Sequence, residues 1–203
     1  MRTCTSRIGV FGLAATAVLV GSGVAQAGLL SANSGAAIPA FTGTQFFDDN
    51  FSGFTVSANV DYAVFAPGTF PFADPSGGTD YVYAYQIENL DTDIGQFTVG
   101  LDGDETLGTI GSIADGGSAN PNSSLYVGAG PTSAAWDFSG FASGQTSDVL
   151  FFTSAQAPEL DSSTVSAQWA NSHDLPSPVP EPATLSLLAL GTIVSCSGRR
   201  RRM

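Results

Sequence analysis

The chain has 203 residues and a formal net charge of −12, from 18 acidic and six basic residues. The basic residues are arginines at positions 2, 7 and 199–202, so residues 8–198 contain neither lysine nor arginine. Such a stretch repels nucleic acid and anionic lipid surfaces, because both are bound through cationic side chains, and a nucleic-acid partner is therefore excluded.

The N-terminal segment has the three parts of a secretory signal. Arg2 and Arg7 form a basic start, an apolar run follows, and Ala25 and Ala27 give the small-x-small pattern that signal peptidase cleaves. Residues 1–27 are therefore predicted to be a signal peptide that is removed on export. A retained N-terminal membrane helix is the alternative.

The cysteines lie outside the predicted mature domain. Cys4 is in the signal segment and Cys196 is near the C-terminus, so residues 28–175 can form no disulfide and offer no thiolate. An exported domain without disulfides has to be stable through its hydrophobic core, and its length is sufficient for one.

The middle of the chain is patterned as strands. Val56, Ala58 and Val60 alternate with polar residues, the period of a strand with one face in water. Turn residues separate eight such runs, which predict an antiparallel β-sandwich of about eight strands rather than a closed barrel or a short β-helix. The runs are AFTGTQFF, FTVSANVDYAV, YVYAYQI, QFTVGL, SLYVGA, AAWDFSGF, SDVLFFTS and STVSAQWA.

Three short segments come after this predicted domain. Residues 176–182 carry proline at every second position and are predicted to be a stiff linker, because proline does not continue a sheet. Residues 183–198 are apolar but shorter than the roughly 20 residues of a membrane-spanning helix. Residues 199–203 are rich in arginine and would stay in the cytoplasm while the domain is outside.

The order of these segments resembles the PEP-CTERM sorting signal of exported bacterial proteins. The resemblance implies that exosortase, a membrane protease, recognises a C-terminal hydrophobic sorting helix and cleaves near the Pro-Glu-Pro. It also implies transient retention in the inner membrane and a link to exopolysaccharide; a plain tail anchor is the alternative. The residues that carry it are Val179, Pro180, Glu181, Pro182, Arg199, Arg200, Arg201 and Arg202.

The inventory of side chains does not favour an enzyme. His173 is the only histidine and lies at the edge of the predicted linker, where a base oriented for nucleophilic catalysis is not expected. Two carboxylates are enough for a glycoside hydrolase, and Glu88, Glu105 and Glu159 are the candidates, but each lies in or near a predicted turn. We therefore expect no catalytic activity, with two-carboxylate hydrolysis as the minor alternative.

Two acidic turns suggest a calcium site, the one cofactor that the sequence indicates. Hard oxygen ligands in glycine-containing loops suit Ca²⁺, although neither turn completes an EF-hand loop, and ordinary solvated turns are the alternative. The candidate ligands are Asp91, Asp93, Asp102, Asp104 and Glu105.

Aromatic residues suggest a glycan contact. Tyr81, Tyr83 and Tyr85 alternate onto one strand face, where an exposed row would stack against sugar rings. The alternative is that they point into the core, as we also expect of Trp136 and Trp169. The sequence thus predicts an exported surface or extracellular protein, structural or adhesive in an exopolysaccharide matrix, with a carbohydrate-binding module as the alternative.

Overall fold

The computed structural model describes residues 29–51, 54–114, 117–167 and 170–179. The predicted signal peptide with Ala25 and Ala27, Trp169, the Pro-Glu-Pro motif, the hydrophobic segment and the arginines lie outside these residues.

Strands dominate the fold. A short helix, α1 (Leu29–Asn33), and two 3-10 turns, Ser34–Ala36 and Pro39–Phe41, precede them. The strands are β1 (Thr42–Phe51), β2 (Phe54–Phe65), β3 (Tyr81–Asn89), β4 (Ile94–Gly100), β5 (Leu107–Ile113), β6 (Ser123–Val127), β7 (Ser133–Phe141), β8 (Val149–Ser154), β9 (Pro158–Ser166) and β10 (Ala170–Pro178).

Two five-stranded sheets face each other. The first sheet has the order β1-β2-β3-β8-β5 and the second the order β10-β9-β4-β7-β6, and every pairing between these strands is antiparallel. The predicted antiparallel β-sandwich is therefore confirmed.

Aromatic side chains fill the space between the sheets. Trp136 on β7 is fully buried and its ring lies 5.8 Å from that of Phe97 and 6.3 Å from that of Phe152. Its indole N–H donates to the carbonyl oxygen of Gly111 on β5 at 2.9 Å, so one side chain joins the two sheets. The alternation predicted for β2 is also observed, since Val56, Ala58 and Val60 belong to this core.

A second apolar cluster covers part of the outer face of the first sheet. Phe65, Val82 and Phe151 point away from the sandwich core and pack with Leu30 of α1 and with Phe70. The cluster covers only the end of this face of β2, at Ala63 and Phe65, whereas none of the residues predicted for its wet side, Thr55, Ser57, Asn59 and Asp61, is buried. The backbone N–H of Leu30 donates to Oε1 of the buried Gln86 at 3.0 Å, which fixes α1 there.

The predicted boundary between domain and linker is also wrong. Pro176 and Pro178 belong to β10, which pairs with β9 as far as Pro178 opposite Pro158. Because β10 is an edge strand, alternate N–H groups face away from its neighbour, and prolines at every second position cost no ladder hydrogen bond. The domain therefore extends beyond 175, to Val179, whose N–H donates to the carbonyl of Ala157 at 3.1 Å.

Candidate functional site

The tyrosine row of β3 lies in the core. Tyr83 and Tyr85 are fully buried, and Tyr81 is half-buried against the same cluster. The Tyr83 hydroxyl donates to the carbonyl of Gln156 at 2.8 Å and that of Tyr85 donates to the carbonyl of Pro176. The interpretation as an exposed glycan platform is therefore wrong for Tyr83 and Tyr85, because neither ring has a free face.

This burial predicts a loss of stability in alkali. Desolvation raises the pKa of Tyr83 and Tyr85 well above the ordinary value, and a neighbouring tyrosine adds to the shift in each case. The unfolded chain ionises them near pH 10, so the stability that the neutral hydroxyls contribute is complete below that pH and is lost as the pH rises towards the folded pKa. Each should lower the free energy of unfolding by about 1.4 kcal/mol per pH unit above about pH 10.

Urea unfolding between about pH 9 and 11.5 measures this dependence. Tyr85→Phe should remove the contribution of that one tyrosine and make the alkaline slope shallower by about 1.4 kcal/mol per pH unit, whatever it costs at neutral pH. An unchanged slope in Tyr85→Phe would mean that the tyrosine hydroxyl is accessible in the folded state.

The candidate calcium ligands do not gather at one place. Asp91 and Asp93 precede β4 and the other three come after it, and a strand of that length separates its ends by roughly 20 Å. Glu105 accepts hydrogen bonds from the backbone N–H groups of Asp102 and of Gly103, the latter at 2.7 Å, so its carboxylate closes its own turn. Within the described residues, no three acidic, histidine or cysteine side chains group in a way that could hold a metal ion.

The residues considered for catalysis lie on separate elements. His173 is on β10 and not in a linker, and its ring meets that of Phe47 edge-on at 4.9 Å. Glu88 lies on β3 and its Oε2 accepts a hydrogen bond from the Asn59 amide at 3.0 Å, whereas Glu159 is exposed on β9 and Glu105 is in the β4–β5 turn. The structure therefore does not join these side chains in one hydrogen-bonded arrangement.

The C-terminal end of the fold is held by several contacts. Ser177 is buried and its hydroxyl donates to the carbonyl of Gly100 at 2.7 Å, while Pro176 accepts the Tyr85 hydroxyl. Together with the bond from Val179 to Ala157, these contacts fix the chain up to the residue before Pro180. The described part of the chain is therefore held to the sandwich as far as Val179, the residue before the Pro-Glu-Pro in the sequence.

One comparison identifies this segment. Residues 178–202 match a family model described as the PEP-CTERM protein-sorting motif. The chain carries a PEP-CTERM sorting signal. Proteins with a PEP-CTERM signal are exported and processed by exosortase, so the resemblance seen in the sequence is confirmed, and the match begins at Pro178, the last residue of β10.

The comparisons with curated proteins and with solved structures gave no match. In the part that the structure describes, no helix is long and apolar enough to cross a membrane. The hydrophobic segment of the PEP-CTERM signal, residues 183–198, is outside that part.

The outer face of the second sheet is a polar surface that the sequence analysis did not single out. The registers of its strands place Ser172, Thr164, Thr98, Ala135 and Leu125 side by side in one row across all five strands. The adjacent row carries Ser166, Gln96, Asp137 and Ser123. We call this surface the hydroxyl face, defined by Thr98, Ser123, Ser133, Ser162, Thr164, Ser166 and Ser172.

Hydrogen bonds order this face. The Thr164 and Ser172 hydroxyls share a hydrogen bond of 2.7 Å. Asp137 accepts one from the Ser123 hydroxyl at 2.6 Å and one from the Gln96 amide at 2.7 Å. Both hydrogen bonds lower the pKa of Asp137, and the one from Ser123 has the larger effect. The carboxylate is therefore ionised, and each of its oxygens accepts a hydrogen bond. The alternation along each strand indicates that these residues point outwards. It does not show which of them lie side by side, because that depends on the register between strands.

Proposed function

We propose that this protein is a non-catalytic domain that its PEP-CTERM signal delivers to the cell surface or the extracellular space, where it is a structural or adhesive component of an exopolysaccharide matrix. The match to the sorting motif carries this proposal. Export and exosortase processing follow from the motif, and a matrix role is the further step.

The position of the PEP-CTERM signal supports delivery of a folded domain. The apolar segment is marginal for a permanent span, and the four arginines at 199–202 hold the C-terminus on the cytoplasmic side until cleavage. Cleavage after Val179 leaves every strand of the sandwich intact. The product is a domain without lysine or arginine, which anionic surfaces do not retain by charge.

The experiment alters the motif in the producing cells. Replacing Pro180, Glu181 and Pro182 by alanine should keep the protein in the membrane fraction with its arginines, because exosortase no longer cleaves it. Pro176→Ala is the matched control, since it removes a proline outside the matched residues. Equal release of both variants would contradict exosortase processing.

A second arm tests the matrix role. In cells that make no exopolysaccharide, processed protein should appear in the medium instead of in the sedimented matrix. The same distribution with and without exopolysaccharide would contradict the structural or adhesive role while leaving the sorting intact.

A further inference from the structure

Removal of the predicted signal peptide gives the protein a single amine. The chain contains no lysine, and residues 8–198 contain no arginine either. After cleavage behind Ala27, the α-amino group of Gly28 is therefore the only amine of the protein, and its only fixed positive charge once the C-terminal arginines are removed. Because α-amino groups carry their proton below about pH 8, this group is an ammonium at neutral pH.

The fold fixes the chain two residues after this amine. Leu30 is fully buried, and its backbone N–H donates to Oε1 of Gln86 at 3.0 Å. Gln86 is itself held, because its Nε2 donates to the carbonyl of Ser147 at 3.0 Å. Two residues span at most about 7 Å, so the amine of Gly28 is confined to the surroundings of Gln86 on the outer face of the first sheet.

A carboxylate lies within this reach. Asp61 on β2 is directly opposite Gln86 on β3, and side chains in that relation are about 4.5–5.5 Å apart. Asp61 also lines a cavity of about 110 Å³ beside α1, whose walls include Leu30, Ser31 and Thr44. A water molecule takes about 30 Å³ in the liquid, so this cavity has room for an ammonium group.

The charge of the surroundings favours an ammonium as the occupant. The Asp61 carboxylate accepts a hydrogen bond from the Thr44 hydroxyl. No described residue is a lysine or arginine, and the histidine at position 173 lies on the second sheet, so the described part of the chain supplies Asp61 with no cation. A positive group that the chain places within reach of Asp61 is therefore attracted to it.

The other titratable groups near Gln86 are few. Glu88, two residues further along β3, has its Oε2 engaged by the Asn59 amide at 3.0 Å. Apart from the Tyr62 hydroxyl, the segments that line the cavity add no titratable group besides Asp61. Asp61 is thus the acid for which the geometry and the cavity agree.

We infer that removal of the signal peptide creates a docking group: the Gly28 ammonium enters the cavity beside α1 and forms an ion pair with Asp61. The inference rests on the export that the proposed function includes, with cleavage after Ala27. In the precursor the same nitrogen is an uncharged amide, since it is bonded to Ala27. The contact therefore forms only after export, and it then fastens α1 to the first sheet.

The test uses the protein processed by the producing cells and follows, by mass, the acetylation of its one amine by an N-hydroxysuccinimide ester at pH 7. Only the unprotonated amine reacts, so an ion pair that raises its pKa by one unit slows the reaction about tenfold. Wild type should therefore react about tenfold more slowly than Asp61→Asn. It should also react about tenfold more slowly than the same protein in denaturing urea, a comparison that needs no variant.

Asp48→Asn is the matched control. Asp48 is an exposed acid of β1 that lies opposite Ser57, four residues along β2 from Asp61 and thus about 13 Å away. Exposed charges at such a distance are largely screened, so this variant should react within about twofold of wild type. Acetylation should also lower the unfolding temperature of wild type by about 2–4 °C and that of Asp61→Asn by less than about 1 °C.

The outcomes separate this inference from the proposed function. Equal acetylation rates of wild type and Asp61→Asn, or of folded and unfolded wild type, overturn the docking. A mature protein that does not begin at Gly28 also overturns it, but leaves sorting and a matrix role standing, since these depend on the other end of the chain. Released protein that keeps its C-terminal arginines contradicts the proposed function and leaves the docking standing if the rates differ as expected.

Discussion

Trp136→Ala is expected to lower the free energy of unfolding by about 3–5 kcal/mol, the range for deleting a large buried aromatic side chain. Trp136 is fully buried, stacks on Phe97 and lies within 6.2 Å of Tyr85 between ring centres. No residue from 28 to 178 is a cysteine, so no disulfide limits the loss. Since a domain is typically stable by about 5–15 kcal/mol, this change removes a large share of the total.

Trp136→Phe separates packing from the hydrogen bond. It keeps most of the aromatic volume but leaves the Gly111 carbonyl, which the indole N–H approaches at 2.9 Å, without that donor. We expect a loss of about 1–3 kcal/mol in urea unfolding, clearly smaller than for alanine. Equal losses in the two variants would show that the link between the sheets, and not the ring packing, dominates at this position.

The second large effect concerns where the domain ends. A chain that ends at Val179 should be as stable as one that ends at Pro182, whereas a chain that ends at Leu175 should lose about 3–6 kcal/mol. The shorter chain lacks the bond from Ser177 to Gly100 and leaves the buried Tyr85 hydroxyl without its acceptor on Pro176. Thermal unfolding of the three chains measures the difference, and full stability of the chain ending at Leu175 would restore 176–182 as a linker.

Much of the fold could be predicted because alternation and turn residues are local signals. The first strands show this, since the alternation of Val56, Ala58 and Val60 predicts a core face and these residues lie in the core. Two of the ten strands formed by the described residues are missing from the predicted set, for different reasons. β5 has the sequence LGTIGSI, whose glycines weaken the apolar alternation. β10 contains Pro176 and Pro178, which are tolerated because this strand is at an edge, and edge position is a property of the whole sheet.

The same distinction between local signals and properties of the whole fold applies to the candidate functional residues. The sorting residues from Val179 onwards form a contiguous motif, so reading the chain in order is enough to find them. The alternation along β3 shows which residues share a face of the strand, but it does not show what each face packs against. In the structure, the face with Tyr83 and Tyr85 packs against the second sheet. The hydroxyl face needed the register between β4, β7 and β9, which long-range pairing decides.

Intact-mass measurement of the protein from the producing cells and their medium tests the central claim, that a β-sandwich ending at Val179 is delivered by a removable C-terminal signal. We expect a product whose first residue is Gly28 and whose last residue lies between Val179 and Pro182, with none of the four arginines of residues 199–202. A mature protein that retains these arginines, or one cut within β10, would contradict this claim.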